Sequence, residues 1–356
     1  MAVAHTVEEI GLAFHAAQAR RARAVANEIQ RLWSQLDRRD FSASWRGSVG
    51  PRVLRALAAG QLASAAAADE YVDAVAAAEG AGSDRMGRVR PEGFAGLAAD
   101  GRSLDSLMYL SVITSKTRIA AGQPVDDALM AGLRQALRIG SSEVTQAGRG
   151  AIGASMAGKR TIQGYVRVVQ PPACARCIIL AGKEFGWNSG FQRHPKCDCI
   201  HLPTTLIARN RAGRGSIGSD RFSPTTRPGQ GGRGFLDPRA YFNTLSRAEQ
   251  DRVFTAAGAR AIREGGDMGQ IINARRGMYT TSGPGGRASA TRVGTRRGSN
   301  YYNLERRRAI DRGEVPAGIG RRFNVRTPRL MPEEIFRLAA SRDEAVAMLR
   351  RFGYLR

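Results

Sequence analysis

Lysine and acidic residues are scarce in this chain of 356 residues. Only four of its 55 basic residues are lysines, and 31 aspartates and glutamates leave a formal net charge of +24. A field of this size favours a polyanionic partner, and DNA is the obvious candidate. A bias toward arginine, alanine and glycine is also typical of a GC-rich genome, so composition alone leaves both explanations open.

Long hydrophobic runs are absent, and so are the marks of export. No stretch approaches roughly 18 uncharged apolar residues, so we expect no membrane span. The opening MAVAHTVEEI lacks a basic start followed by an apolar run, so we expect no secretory signal. Aromatic residues make up 6% of the chain although 42% of it is hydrophobic, which favours helices packed closely through small side chains.

The first 160 residues have the apolar spacing of amphipathic helices. Thr6 and Glu9 form a capping box at the start of the first helix, and Pro51 suits the first turn of the second. The glycine-rich stretch 148–158 is expected to end the fourth. The predicted helices cover about 7–36, 51–80, 104–120 and 125–158.

The pattern changes after residue 160. Tyr165 to Val169 is a short β-branched run bounded by Gly164 and Pro171, which predicts a strand. Further on, capping boxes at Ser246 and Ser341 predict two later helical segments. The predicted division is a helical domain over 1–160, a Cys/His core over 161–204, a basic flexible loop over 205–245, and a C-terminal helical module over 246–356 with a second basic loop at 281–300.

The predicted fold class is therefore mainly α with a small α+β centre. A helical N-terminal domain precedes short strands around a Cys/His knot, and helical C-terminal segments are joined by basic, glycine-rich loops. Arginine in such loops can pair phosphate oxygens two at a time, or it can meet an acidic protein surface. A mobile connector that happens to be basic is the alternative. The candidate contact residues are Arg209, Arg211, Arg214, Arg227, Arg233, Arg275, Arg276, Arg287, Arg292, Arg296 and Arg297.

All four cysteines lie within 26 residues, in the pattern C-x2-C-x16-H-x2-C-x-C-x-H. Zinc takes four thiolate or imidazole ligands in a tetrahedron, and a C-x2-C pair on a tight turn supplies two of them. The first choice of ligand set is the four thiolates, and a variant puts His194 in place of one cysteine of the second pair. The candidate ligands are Cys174, Cys177, Cys197, Cys199 and His194.

Other chemistries for the cluster stay open. Two disulfides would suit an oxidising compartment, and unliganded thiols in a packed knot are a further alternative. A redox C-x-x-C needs a βαβ setting that the sequence does not suggest. We expect a structural zinc and no enzyme, because only Glu184 and Asp198 are local carboxylates and neither belongs to a hydrolase or deaminase motif. A Cys-His nuclease is the sharper alternative.

The segment VQPPACARCIILAGKEFGWNSGFQRHPKCDCIHLP resembles the central motif of the Mu F-like minor head proteins of tailed phages. That motif has a C-x2-C, then a glycine and an aromatic residue, here Gly182 and Phe185, and then an R-H-P-x-C-x-C group. The resemblance is specific over about 160–203. Stretches 248–278 and 329–355 also look like actinobacteriophage versions.

The resemblance implies a virion component present in several copies, at the portal vertex or in the capsid interior. It also implies a role in head assembly, DNA packaging or DNA delivery, with the portal or major capsid protein as partner. No catalytic residues transfer. The competing functions are a metal-dependent nuclease or toxin-like enzyme and a host zinc-knuckle protein that binds nucleic acid. A zinc knuckle would place aromatics among the basic residues, whereas the basic stretches 205–235 and 281–300 contain only Phe222 as an internal aromatic.

Overall fold

The computed structural model describes residues 6–82, 84–189, 199–205, 236–283, 286–315 and 323–355. The chain forms two compact units. The N-terminal unit comprises Met1–Pro171 and Ala181–Leu236, and the C-terminal unit comprises Pro172–Leu180 and Asp237–Arg356. Among the described helices, none is long and apolar enough to cross a membrane. The predicted fold class, mainly α with small sheets, is confirmed.

Long helices dominate the N-terminal unit, and the capping box of Thr6 and Glu9 starts the first of them as predicted. The second predicted helix is two helices, because the chain breaks at Ala67. The α-helices are α1 Val7–Trp33, α2 Phe41–Ser44, α3 Gly50–Ala66, α4 Ala68–Ala78, α5 Leu104–Ala120 and α6 Val125–Ala157, with a π-helical turn at Trp45–Val49 and a 3-10 turn at Pro91–Phe94.

Glycines in α6 let neighbouring helices approach closely. A Cβ on Gly132 would lie 2.7 Å from the Ser111 carbonyl and would overlap the Ser115 hydroxyl, and one on Gly148 would lie 2.9 Å from Gln18. The glycine-rich stretch 148–158 was expected to end the helix, and α6 does end inside it, at Ala157. The cost of glycine in a helix is about 1 kcal/mol per residue, and close packing against α1 and α5 offsets it.

A buried charged cluster fastens the segment after α4 to the end of α6. The Arg85 guanidinium, 8% exposed, bonds to Asp69 at 2.8 Å and to Asp73 at 2.7 Å. The Lys159 ammonium, 4% exposed, lies 3.4 Å from Asp73 and 3.5 Å from Asp84. Burial raises the pKa of Asp73, but hydrogen bonds from Arg85 and Lys159 outweigh burial and hold this pKa below its ordinary value.

A three-stranded antiparallel sheet completes the N-terminal unit. Its strands are β1 Gly164–Val169, β2 Glu184–Gly186 and β3 Cys199–Thr204, in the order β2-β1-β3. β1 contains the strand predicted from the sequence. Val168, Ile200 and Leu202 share one face and pack with Phe14 and Tyr71 of the helices.

Short helices and a second sheet build the C-terminal unit. Helices start after Ser246 and Ser341 as predicted. Ser246 and Glu249 form a full capping box, whereas the Ser341 hydroxyl caps its helix by accepting from the Glu344 N–H. The helices are α7 Ala175–Ile178, α8 Pro238–Thr244, α9 Arg247–Phe254, α10 Ala256–Arg263, α11 Met268–Ala274, α12 Asn300–Asp311, α13 Pro332–Leu338 and α14 Arg342–Arg351, with a 3-10 turn at Arg275–Gly277. The strands β4 Met278–Gly283, β5 Gly286–Thr291 and β6 Arg329–Leu330 follow one another in the sheet.

The prediction of a basic loop over 281–300 is wrong for the first half of that range, which contains strand structure. β4 and β5 form an antiparallel hairpin, with Gly283 opposite Gly286 at its tip and Met278 opposite Thr291 at its base. Gly286 has a φ of +106°, which only glycine adopts readily. The glycines that suggested a loop therefore make the turn of a hairpin.

A buried arginine ties the end of the chain to the second sheet. Arg329 is fully buried, and its guanidinium donates to the carbonyls of Phe352 at 2.8 Å, Val293 at 2.8 Å and Gly353 at 3.3 Å. The ring of Tyr354 lies 4.2 Å from the guanidinium carbon. Burial lowers the pKa of Arg329. The carbonyls satisfy a cation that would otherwise be costly to bury.

Candidate functional sites

Two residues from the second half of the cysteine motif, Cys199 and His201, lie in the first sheet. Cys199 begins β3 opposite Val169, and His201 lies opposite Arg167 on the same face. Cys199 and His201 are 0% and 4% exposed. Tyr165 stacks on the His201 imidazole with ring centroids 4.1 Å apart. These two motif residues are therefore part of a packed sheet face.

Helices from the first half of the chain hold this strand in place. The Arg149 guanidinium of α6 donates to the Cys199 carbonyl at 2.7 Å, and the Tyr71 hydroxyl of α4 donates to the His201 carbonyl at 3.0 Å. Burial raises the pKa of Tyr71, which keeps the phenol neutral as a donor. Neither Arg149 nor Tyr71 was predicted from the sequence, because each lies at least 50 residues from its partner and outside any motif.

At the far end of β3, the Glu79 carboxylate accepts a hydrogen bond from the Thr205 backbone N–H at 2.6 Å and from the Thr205 hydroxyl at 2.6 Å. It also accepts from the Thr204 hydroxyl at 3.3 Å. These bonds fix β3 to the C-terminal end of α4. Both ends of the strand that begins with Cys199 are thus held by helix side chains.

The first half of the motif forms a single helical turn. Cys174 is the N-cap residue of α7, and Cys177 lies within that helix. The Ile178 N–H donates to the Cys174 carbonyl at 3.0 Å and closes the turn. A C-x2-C pair on a tight turn is a common source of two zinc thiolates. Cys174 is exposed, and Cys177 is buried.

The full predicted ligand set is not tested. Cys197 and His194 lie outside the described residues. Cys174 and Cys177 belong to the C-terminal unit, whereas Cys199 belongs to the N-terminal unit. Within the described ranges, no group of three or more His, Cys, Asp or Glu side chains is arranged to hold a metal ion. The zinc site, including its C-x2-C half, stays a prediction.

The predicted contact arginines divide into two groups. Five of them lie outside the described residues: Arg209, Arg211, Arg214, Arg227 and Arg233. The other six surround the hairpin of the C-terminal unit, and all are exposed. Arg275 forms an ion pair with Glu333 at 2.6 Å, and the Arg292 guanidinium lies 5.1 Å from the centre of the Tyr279 ring. Arg276 follows Arg275 in the chain, and Arg287 lies near the tip of the hairpin, opposite Ser282. Arg296 and Arg297 lie in the turn before α12.

One small cleft opens beside the first sheet in the described part of the chain. Its lining includes His15 of α1, Arg149 of α6 and Cys199. Its free volume is enough for about one water molecule.

These features define a mainly helical protein with a Cys/His motif, two residues of which lie in a sheet, and with a strongly basic C-terminal unit. A family model described as VG15 protein matches residues 9–213, which is more than half of the chain. The chain belongs to the VG15 protein family, a phage-type family of viral proteins. The match includes the whole cysteine motif. Neither the curated proteins nor the solved structures contain a significant match.

Proposed function

We propose that the protein is a minor capsid protein that acts in head morphogenesis, at the portal vertex or in the capsid interior. Membership of a phage-type viral family carries the proposal. The resemblance of the matched cysteine motif to the Mu F-like minor head proteins supports the finer assignment. The proposed role is structural and not enzymatic, with several copies per virion and the portal or major capsid protein as partner.

Deletion of the gene from the phage tests this role. Infected cells without the protein should produce tails together with heads that are aberrant or lack DNA, visible by negative-stain electron microscopy. Expression of the protein from a plasmid should restore infectious particles. Normal yields of filled, infectious heads in the absence of the protein would rule out an essential role in head assembly.

We propose further that the motif holds one structural zinc ion. Zinc bound by the C-x2-C turn of α7 would hold this short element where the aromatic-poor core supplies little packing. The exposed Cys174 and the buried Cys177 would supply two thiolates. The remaining ligands would come from Cys197, Cys199 and His194.

Metal analysis of the purified full-length protein tests the zinc proposal. We expect about one zinc per chain, lost in a Cys174→Ser, Cys177→Ser variant. His194→Ala separates the two ligand sets, because zinc is retained if all four thiolates bind it and lost if His194 is a ligand. Titration of thiols in denaturant without reductant gives the competing result: no titratable thiol means two disulfides and contradicts the proposal.

A further inference from the structure

The hairpin of the C-terminal unit lies in a stretch without negative charge. Residues 268–304 contain six arginines and no aspartate, glutamate or lysine. The whole segment 237–356 carries 24 arginines against 12 acidic residues. The positive charge around the hairpin is therefore not compensated by its neighbours in sequence.

The arginines are spread along both ends of the β4–β5 hairpin, which β6 joins only at its base. We call the described residues 275–283 and 286–297 the ribbon. Arg287 lies beside the tip, opposite Ser282. At the base, the Arg292 N–H donates to the Gly277 carbonyl at 3.0 Å and continues the pairing by one step. Five residues of antiparallel strand separate Arg287 from Arg292, or about 17 Å at roughly 3.4 Å per residue. A ribbon of this size spans several phosphates of a duplex.

Three of these arginines are available to a partner. Arg287, Arg296 and Arg297 are exposed, and the structure gives them no acidic partner among the residues it describes. Arg275 differs, because it forms an ion pair with Glu333. Arg292 is occupied in part by the Tyr279 ring.

The outward chemistry of the ribbon fits phosphates better than a protein surface or unpaired bases. β4 is an edge strand, and its exposed positions include the hydroxyls of Thr280 and Ser282, which are common phosphate donors. Met278, 45% exposed, is its one large exposed apolar side chain, whereas a protein interface needs an apolar centre. Tyr279 is half-buried beside Arg292, so it offers little surface for base stacking.

We propose that the ribbon binds double-stranded DNA through its backbone phosphates. A two-stranded β-ribbon fits the major groove of B-DNA, and arginines at its tip and base reach the phosphates on either side. Contacts of this kind do not read sequence. The DNA duplex is thus the proposed partner of the C-terminal unit. Its biological meaning rests on the proposed role of the protein in the head. The ribbon lies outside the region that matches the VG15 family.

Fluorescence anisotropy with a labelled duplex of about 25 base pairs tests the inference on the full chain across a salt series. The test variant is Arg287→Ala, Arg296→Ala, Arg297→Ala. The matched control removes the same charge from exposed positions of the N-terminal unit, as Arg20→Ala, Arg23→Ala, Arg55→Ala. Each lost phosphate contact lowers the slope of log K against log salt by about 0.9.

We expect the ribbon variant to lose two to three units of that slope, on the order of three contacts, and the control to lose less than about half a unit. Replacement of the same three ribbon arginines by lysine should keep the slope. Equal losses in the ribbon variant and the control would contradict the inference, because binding would then follow net charge alone. Stronger competition by poly-glutamate than by duplex DNA would also overturn it, in favour of an acidic protein surface.

The DNA-binding proposal and the proposed role in the head can fail independently. A phage that carries the ribbon variant can still be examined for the protein in its heads. Heads that contain the variant, together with unchanged DNA affinity in solution, would remove the inference and leave the head role intact. Absence of the wild-type protein from heads would remove the head role and leave the DNA-binding result as measured.

Discussion

Two glycines of the same helix should respond in opposite directions to the same substitution. In α6, a Cβ on Gly132 would lie 2.7 Å from the Ser111 carbonyl oxygen and 2.7 Å from Cζ2 of Trp33, and it would overlap the Ser115 hydroxyl. A Cβ on Gly153 would meet no atom within 4 Å. Alanine at Gly153 therefore changes stability through helix propensity alone, whereas alanine at Gly132 also changes it through packing.

The magnitudes follow from two opposing effects. Alanine is about 1 kcal/mol better than glycine inside a helix, so Gly153→Ala should stabilise the N-terminal unit by about that amount. At Gly132 the same gain is opposed by overpacking against a backbone carbonyl and a tryptophan, which costs about 3 kcal/mol at the upper end of its usual range. Gly132→Ala should therefore destabilise the unit by about 2 kcal/mol.

Urea unfolding followed by tryptophan fluorescence measures both variants, because Trp33, Trp45 and Trp187 all lie in the N-terminal unit. For a unit of this size, thermal midpoints should fall by about 4–8 °C for Gly132→Ala and rise by about 2–4 °C for Gly153→Ala. Equal stabilisation by the two substitutions would refute the close packing of α6 against its neighbours.

Two further perturbations test buried charges. Arg329→Met removes the donors to three buried carbonyls, including that of Phe352, and should cost the C-terminal unit about 3 kcal/mol. Hydrogen exchange should then accelerate over 349–355, and unchanged protection there would contradict the role of this side chain. Because the pKa of Asp73 is lowered in the folded protein, its contribution is complete above its ordinary value of 3.8 and disappears as the pH falls through the lower, folded value. The stability difference between the wild type and Asp73→Asn should therefore be larger at pH 7 than near pH 3, and a pH-independent difference would show that the ion pairs with Arg85 and Lys159 do not act in solution.

Local signals in the sequence predicted the helix starts well. Serine or threonine followed three residues later by glutamate located the starts of α1, α9 and α14, because the cap satisfies backbone donors without help from distant residues. The β-branched run that became β1 was equally local.

The sequence did not reveal every role of the glycines, because these roles depend on distant contacts. In α6 the helix ends within the stretch 148–158 as expected, but the close approach of α5 at Gly132 and of α1 at Gly148 was not predicted. Around Gly283 and Gly286 they were expected to form a loop, yet they turn a hairpin. Only the packed structure distinguishes these roles.

For the candidate sites, the cysteine spacing identified the motif, but not what supports it. The Arg149 bond to the Cys199 carbonyl joins residues 50 apart, and the Tyr71 bond to the His201 carbonyl joins residues 130 apart. No periodicity in the chain indicates either pairing. The contact arginines were identified by their charge alone, and the ribbon that presents six of them emerges only from strand pairing.

Quantitative mass spectrometry of gradient-purified procapsids and virions shows whether this VG15-family protein is a minor component of the phage head. We expect the protein in both particles, in a fixed number of copies far below that of the major capsid protein. Absence from both particles, with the protein abundant in the infected cell, would rule out the proposed role in the head.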